Sequence, residues 1–78
     1  MNLTARSFSR LRQELAKYGV SQKEIASVIH HSQSYVTYRM SCEKPWSLID
    51  IQRICEYLHI PESETYLYFP PSEVKYCK

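Results

Sequence analysis

The 78-residue sequence contains a single glycine, Gly19. A loop that cradles phosphates needs several glycines, because its backbone approaches the ligand closely and takes positive φ values. The sequence also contains no nucleophile elbow and no cluster of carboxylates, which are arrangements that hydrolytic active sites use. We therefore expect that the chain is not an enzyme and binds no cofactor.

Cysteine pairs at metal-binding spacing are missing as well. Cys42, Cys55 and Cys77 are far apart in the sequence, and no histidine lies at zinc-finger spacing from any of them. The adjacent His30 and His31 have no obvious third ligand. The pattern predicts no metal site and three reduced thiols, as is usual in cytosolic proteins.

Long hydrophobic runs are also absent. No apolar stretch approaches the length that spans a membrane, and the chain does not open with a charged segment followed by an apolar one. We therefore expect a cytoplasmic protein that makes no contact with a membrane.

Neither sign of charge is in large excess, since the formal net charge is +2. Its distribution is uneven: residues 1–49 carry a net charge of +4 and residues 50–78 a net charge of −2. A positive half suits a surface that faces phosphates. Charge alone, however, favours an ordinary solvated surface of mixed sign.

Apolar residues at helical spacing predict five helices and no strand. The first covers about residues 4–18, with one apolar face, and ends at Gly19, which tolerates φ > 0. The fourth begins after Ser47 and ends before Pro61, and the fifth covers about residues 62–68. We expect Trp46 in the core or at its rim. The apolar face of the first helix and the buried stripe of the fourth are predicted to contain Phe8, Leu11, Leu15 and Tyr18, and Leu48, Ile51, Ile54, Cys55 and Leu58.

Residues 21–41 predict two short helices joined by a tight turn. Ser21 is a good N-cap, and Glu24 three residues later makes a capping box. Ser32 is a second N-cap, so only His30 and His31 separate the two helices. So short a link forces a sharp crossing, as in a helix-turn-helix whose second helix enters a DNA major groove.

The spacing of five residues in this segment resembles the DNA-binding unit of the lambda-repressor/Cro-like (XRE-type) family: Gln22, Ala26, Gln33, Ser34 and Val36. A weaker similarity extends from about residue 10 to residue 69. The resemblance implies an all-α, five-helix, lambda-repressor-like domain over residues 1–71, followed by a short tail over residues 72–78. The family usually has glycine at the position of His30, and histidine is one of the few other residues enriched at φ > 0.

In that family the glutamine that opens the first helix of the pair contacts a phosphate, and the first exposed residues of the second helix read bases. By resemblance, Gln22 would contact the DNA backbone, and Gln33 and Ser34 would contact base edges or nearby phosphates. Packing remains an alternative for the tyrosines, and a solvated charge for the basic residues. The further candidates for DNA contact are Lys23, Tyr35, Thr37, Tyr38, Arg39 and Lys44.

The resemblance therefore implies sequence-specific binding of double-stranded DNA by a small transcriptional regulator, a repressor of phage, prophage or bacterial type. We expect a homodimer formed through Tyr66, Tyr68 and Phe69, although these residues could instead cap the core. The alternative function is an antitoxin-like or accessory protein-interaction module, and a regulatory protein partner fits either hypothesis.

Overall fold

A computed structural model of the chain describes residues 7–71 and residue 74, and these residues contain five α-helices and no strand. None of these helices has the length and apolar character that crossing a bilayer requires. Residues 1–6 and most of the predicted tail lie outside the described part of the chain. The helices are α1 (Ser9–Tyr18), α2 (Gln22–Ile29), α3 (Gln33–Met40), α4 (Leu48–Leu58) and α5 (Thr65–Tyr68), with a 3-10 turn (Glu62–Glu64) leading into α5.

Local signals place the ends of the helices. Gly19 after α1 has φ 66°, and His30 after α2 has φ 62°, so the expected left-handed conformation at His30 is confirmed. His59 ends α4 in the same way, with φ 59°. A serine precedes each of α2, α3 and α4, and its hydroxyl accepts a hydrogen bond from the backbone N–H three residues later. These N-caps are Ser21, Ser32 and Ser47.

The predicted start of α1 is wrong. Phe8 has φ 56°, a left-handed conformation through which a right-handed helix cannot continue, so α1 begins at Ser9. Phe8 is nevertheless fully buried, and its ring packs against Trp46 and Phe69. At the other end, Tyr18 is 57% exposed, so it does not belong to the buried face of α1.

All five helices contribute to one core. Trp46 is buried in this core, so its predicted placement is confirmed. Its ring meets Phe8 and Phe69 edge-on, with centroids 6.3 and 5.6 Å away. The buried stripe of α4 is confirmed except at Leu48, which is 71% exposed. The core residues are Phe8, Leu11, Leu15, Ile25, Ala26, Ile29, Val36, Met40, Trp46, Ile51, Ile54, Cys55, Leu58, Ile60, Tyr68 and Phe69.

Two of the three residues predicted at a dimer interface belong to this core. Tyr68 and Phe69 are buried within one chain, and the Phe69 ring packs against those of Phe8 and Trp46. They are therefore not available for contact with a second copy, and the alternative in which they cap the core applies to them. Only Tyr66, which is 59% exposed, keeps the predicted surface position.

The cysteines differ from the sequence-based expectation at one position. Cys55 is free and buried, so the prediction of a reduced thiol is confirmed there. Cys42 is disulfide-bonded, so the prediction of a free thiol there is wrong. Cys77 lies outside the described residues.

Candidate nucleic-acid interface

Helices α2 and α3 form a tightly joined pair, because only residues 30–32 lie between them. Helix α2 buries Ile25, Ala26 and Ile29, and α3 buries Val36 and Met40. Since these two α3 residues are four positions apart, one face of the helix is committed to the core. The opposite face of α3 is therefore left on the surface of the domain.

That outer face is polar and continuous. Gln33, Ser34, Thr37 and Tyr38 are all exposed, and together they line one open hollow on the surface. Ser34, Thr37 and Tyr38 follow Gln33 by one, four and five positions, which places the four side chains next to one another on the helix. The structure therefore brings together four of the residues predicted to contact DNA.

Gln22 joins this face from the neighbouring helix. The Thr37 hydroxyl donates a hydrogen bond to Oε1 of Gln22 at 3.3 Å. Ser21 caps α2 at the position just before Gln22 and so fixes where the Gln22 side chain leaves the helix. The first residue of α2 and the outer face of α3 therefore form one continuous polar surface.

Tyr35 is placed differently from the other candidates, because its ring lies between two side chains. The His31 ring stacks on one face, with centroids 3.6 Å apart and planes within 2°. The Arg39 guanidinium carbon lies 3.4 Å from the ring centroid, and Arg39 also donates to the carbonyl of Tyr35. Tyr35 and Arg39 are half-buried. The packing alternative is therefore favoured for Tyr35, whereas Arg39 lies on the Tyr35 ring and is not the plain solvated charge that was its alternative.

The hydroxyl of Tyr35 connects α3 to the start of α4. It donates to Oδ2 of Asp50 at 2.5 Å, and Nε2 of His31 lies 3.9 Å from Oδ1 of the same carboxylate. Asp50 is only 1% exposed. Burial, followed by the hydrogen bond to Asp50 and the charge of that carboxylate, raises the pKa of Tyr35. We name this group the Tyr35 clamp: His31, Tyr35, Arg39 and Asp50.

Asp50 lies in the first turn of α4, three residues after the N-cap Ser47. Its backbone N–H does bond to Ser47 in that role, but its side chain holds Tyr35. No local signal distinguishes a first-turn carboxylate that caps its own helix from one that points to another helix. Arg12 was also missed: its guanidinium donates to the carbonyl of Met40 at 2.8 Å, at the end of α3.

The basic candidates fall into two groups. Lys23 and Lys44 are exposed, so they remain available to a phosphate, whereas Arg39 is held in the Tyr35 clamp. The loop that carries Lys44 is tied to α3, because the backbone N–H groups of Glu43 and Lys44 both donate to the carbonyl of Tyr38. These hydrogen bonds hold the backbone of Lys44 close to the end of α3.

The surface offers no arrangement suited to a metal ion, since no group of three candidate ligands occurs among residues 7–71 and 74. Comparison with known proteins does not place the chain in a family: it matches no protein-family model and no curated protein. Its function must therefore be argued from the geometry of its own residues.

Proposed function

We propose that this chain binds double-stranded DNA sequence-specifically through α3 and acts as a small transcriptional regulator, a repressor at an operator. The proposal includes a lambda-repressor-like fold for the helical domain. The observation that supports it best is the polar outer face of α3, formed by Gln33, Ser34, Thr37 and Tyr38 and continued by Gln22 of α2.

The dimensions of α3 suit this role. An α-helix with its side chains is about 10–12 Å across, so it fits the major groove of B-DNA, which is about 12 Å wide. The eight residues of α3 give it a length of about 12 Å along the bases. Gln33 at its start can bond bidentately to adenine, Ser34 can donate or accept, and the methyl group of Thr37 can contact a thymine methyl. Tyr38, on the next turn, can reach a phosphate.

The remaining polar groups around α3 suit the DNA backbone. Gln22 leaves the first turn of α2 beside Thr37. Lys23, in the same turn, and Lys44, after the end of α3, are both exposed. Contacts of this kind position a protein on DNA without reading its sequence. The Tyr35 clamp contributes indirectly, because it ties α3 to α4 and so limits rotation of the reading face.

A single α3 covers only a few base pairs, so selection of one operator requires a second copy. We propose a homodimer with its two α3 helices about 34 Å apart along one face of the duplex. Because Tyr68 and Phe69 are in the core, Tyr66 is the remaining candidate for the contact between copies. The contact can be small, since DNA that binds both copies supplies part of the dimerisation energy.

One observation favours the second candidate function, a protein-interaction module of antitoxin-like or accessory type. Leu48, a large apolar residue at the start of α4, is 71% exposed and borders a surface groove. Apolar surface exposed in this way is typical of protein-binding sites. Binding to duplex DNA that weakens as salt rises supports the regulator, whereas the absence of DNA binding together with a stable protein complex supports the module.

The proposal is tested by selecting duplexes from a random library with the wild-type protein and measuring affinities for the selected and a random duplex. Gln33→Ala should weaken binding to the selected duplex by about 1–3 kcal/mol and leave the random duplex almost unchanged, because base contacts provide discrimination. Gln22→Ala should weaken both equally. Gln13→Ala, an exposed glutamine of α1, is the matched control and should change neither.

Two results would count against the proposal. If the library yields no enriched sequence even at low salt, the chain does not bind DNA specifically. If Gln33→Ala loses affinity equally for the selected and the random duplex, α3 does not read bases in the proposed way.

A further inference from the structure

A groove lies between α4 and the segment that leads into α5, apart from the polar face of α3. Its volume is about 410 Å³. It is lined by Leu48, Ile51, Gln52, Cys55, Glu56, Ile60, Glu62 and Thr65. We name it the α4 groove.

The α4 groove has a buried apolar floor and an exposed apolar edge. Ile51, Cys55 and Ile60 are buried, whereas Leu48 beside them has most of its side chain in water. The sequence pattern assigns Leu48 to the same stripe as Ile51 and Cys55, so its exposure leaves that stripe uncovered at one end. A partner that covers Leu48 would remove this apolar surface from water, which stabilises the complex.

The charged groups that line the α4 groove are all acidic. Glu56 and Glu62 line it, and no lysine or arginine of the described residues does so. Gln52 and Thr65 add uncharged polar groups. Charge complementarity therefore favours a partner with basic groups next to its apolar side chains and disfavours an acidic one.

The position of the groove on α4 separates it from α3. Successive residues of an α-helix turn by about 100°, so Leu48 and Asp50 point about 200° apart around the axis. Asp50 bonds to Tyr35 of α3, which means that Leu48 and the α4 groove face away from α3. A partner in the groove and DNA on α3 can therefore be bound at the same time.

We propose that the α4 groove docks a short segment of another protein, one that presents leucine-like side chains flanked by lysine or arginine. Leu48 and the floor of the groove cover the apolar side chains, while Glu56 and Glu62 pair with the flanking cations. The inference does not depend on DNA binding, because no residue of the polar face of α3 takes part in it.

The experiment uses the whole chain, labelled with ¹⁵N, and a capped probe peptide of sequence Lys-Leu-Leu-Lys. Two further peptides separate the contributions: Glu-Leu-Leu-Glu reverses the charge, and Lys-Ser-Ser-Lys removes the apolar side chains. The basic apolar peptide should shift the amide resonances of Gln52, Cys55, Glu56 and Thr65 in a saturable way. Each control peptide should bind at least about fivefold more weakly, as expected from two exposed ion pairs or from the loss of the apolar contact.

Protein variants locate the site. Leu48→Ser should weaken binding of Lys-Leu-Leu-Lys by about fivefold or more, since it removes the exposed apolar edge. Ile49→Ser is the matched control: Ile49 is also exposed on α4 but does not line the groove, so its replacement should change binding by less than about twofold. Glu56→Gln with Glu62→Gln should reduce the preference for the basic over the acidic peptide.

Three outcomes would overturn the proposal. The first is no saturable shift at the groove with Lys-Leu-Leu-Lys at millimolar concentration. The second is equal binding of the acidic peptide, or equal effects of Leu48→Ser and Ile49→Ser. The third is a shift of the groove resonances with protein concentration alone, which would make a second copy of this chain the occupant.

Discussion

Replacing Tyr35 with phenylalanine tests whether the Tyr35 clamp stabilises the fold. The substitution keeps the ring between His31 and Arg39 but removes the hydroxyl that donates to Asp50. A hydrogen bond to a charged group contributes about 1.5–3 kcal/mol, and the carboxylate left behind is almost completely buried. We therefore expect a loss of about 2–3 kcal/mol from the free energy of unfolding.

That loss is large for a domain of this size. At about 0.05–0.15 kcal/mol per residue, 78 residues give a total stability of about 4–12 kcal/mol. The assay is urea denaturation followed by circular dichroism, with thermal melting as a second measurement. For a domain of this length each kcal/mol lowers Tm by about 4–8 °C, so Tyr35→Phe should melt at least about 8 °C below the wild type.

The matched control is Tyr38→Phe, on the exposed face of the same helix, which should change the free energy of unfolding by less than about 0.5 kcal/mol. A double-mutant cycle with Asp50→Asn should give a coupling energy of at least about 1 kcal/mol between the two positions. If Tyr35→Phe and Tyr38→Phe have the same stability, or if the coupling energy is zero, the bond between Tyr35 and Asp50 does not stabilise the fold.

Because the pKa of Tyr35 is raised above its ordinary value of 10.0, the stability advantage of the wild type over Tyr35→Phe should be complete below pH 10 and shrink as the pH rises through the folded-state pKa; a difference that grows above pH 10 would contradict this. Phe69→Ala should cost about 3–5 kcal/mol in urea denaturation and Tyr66→Ala less than about 0.5 kcal/mol, because only Phe69 is in the core; equal losses would show that Phe69 is not. His30→Gly should raise the free energy of unfolding by about 0.5–1 kcal/mol, since glycine takes φ 62° without strain, whereas His31→Gly should lower it by removing a stacked ring; destabilisation by His30→Gly would refute the strain argument.

The features predicted correctly from the sequence are those that a few neighbouring residues determine. An N-cap serine bonds to a backbone N–H three residues away, and a left-handed residue ends a helix at its own position. The polar outer face of α3 belongs to the same class, because Val36 and Met40 orient the helix and the exposed positions follow from its period.

The features that the sequence did not predict depend on which elements meet in space. Phe8 continues the apolar spacing of α1, yet its backbone is left-handed and it lies outside the helix. Its ring is nevertheless in the core, where it packs against Trp46 and Phe69, which are distant in the sequence. Leu48 continues the spacing of α4, but the described chain contains no side chain that covers it from the groove side. Periodicity shows which face of an element is apolar and not how far the neighbouring element extends along it.

The contact of Arg39 with Tyr35 also affects how strongly one copy of the chain can bind DNA. Of the three basic side chains predicted to contact phosphates, Arg39 lies over Tyr35, which leaves Lys23 and Lys44 exposed. Each phosphate contact contributes about 0.9 to the slope of log affinity against log salt, so these two lysines give about −2 for one chain and about −4 for a pair. Proteins that make six to ten such contacts gain far more affinity from the backbone than one copy of this chain could. The proposed regulator therefore depends on base contacts from α3 and on a second copy to double them. A small contact around Tyr66 is then sufficient, because both copies are already held by the same duplex.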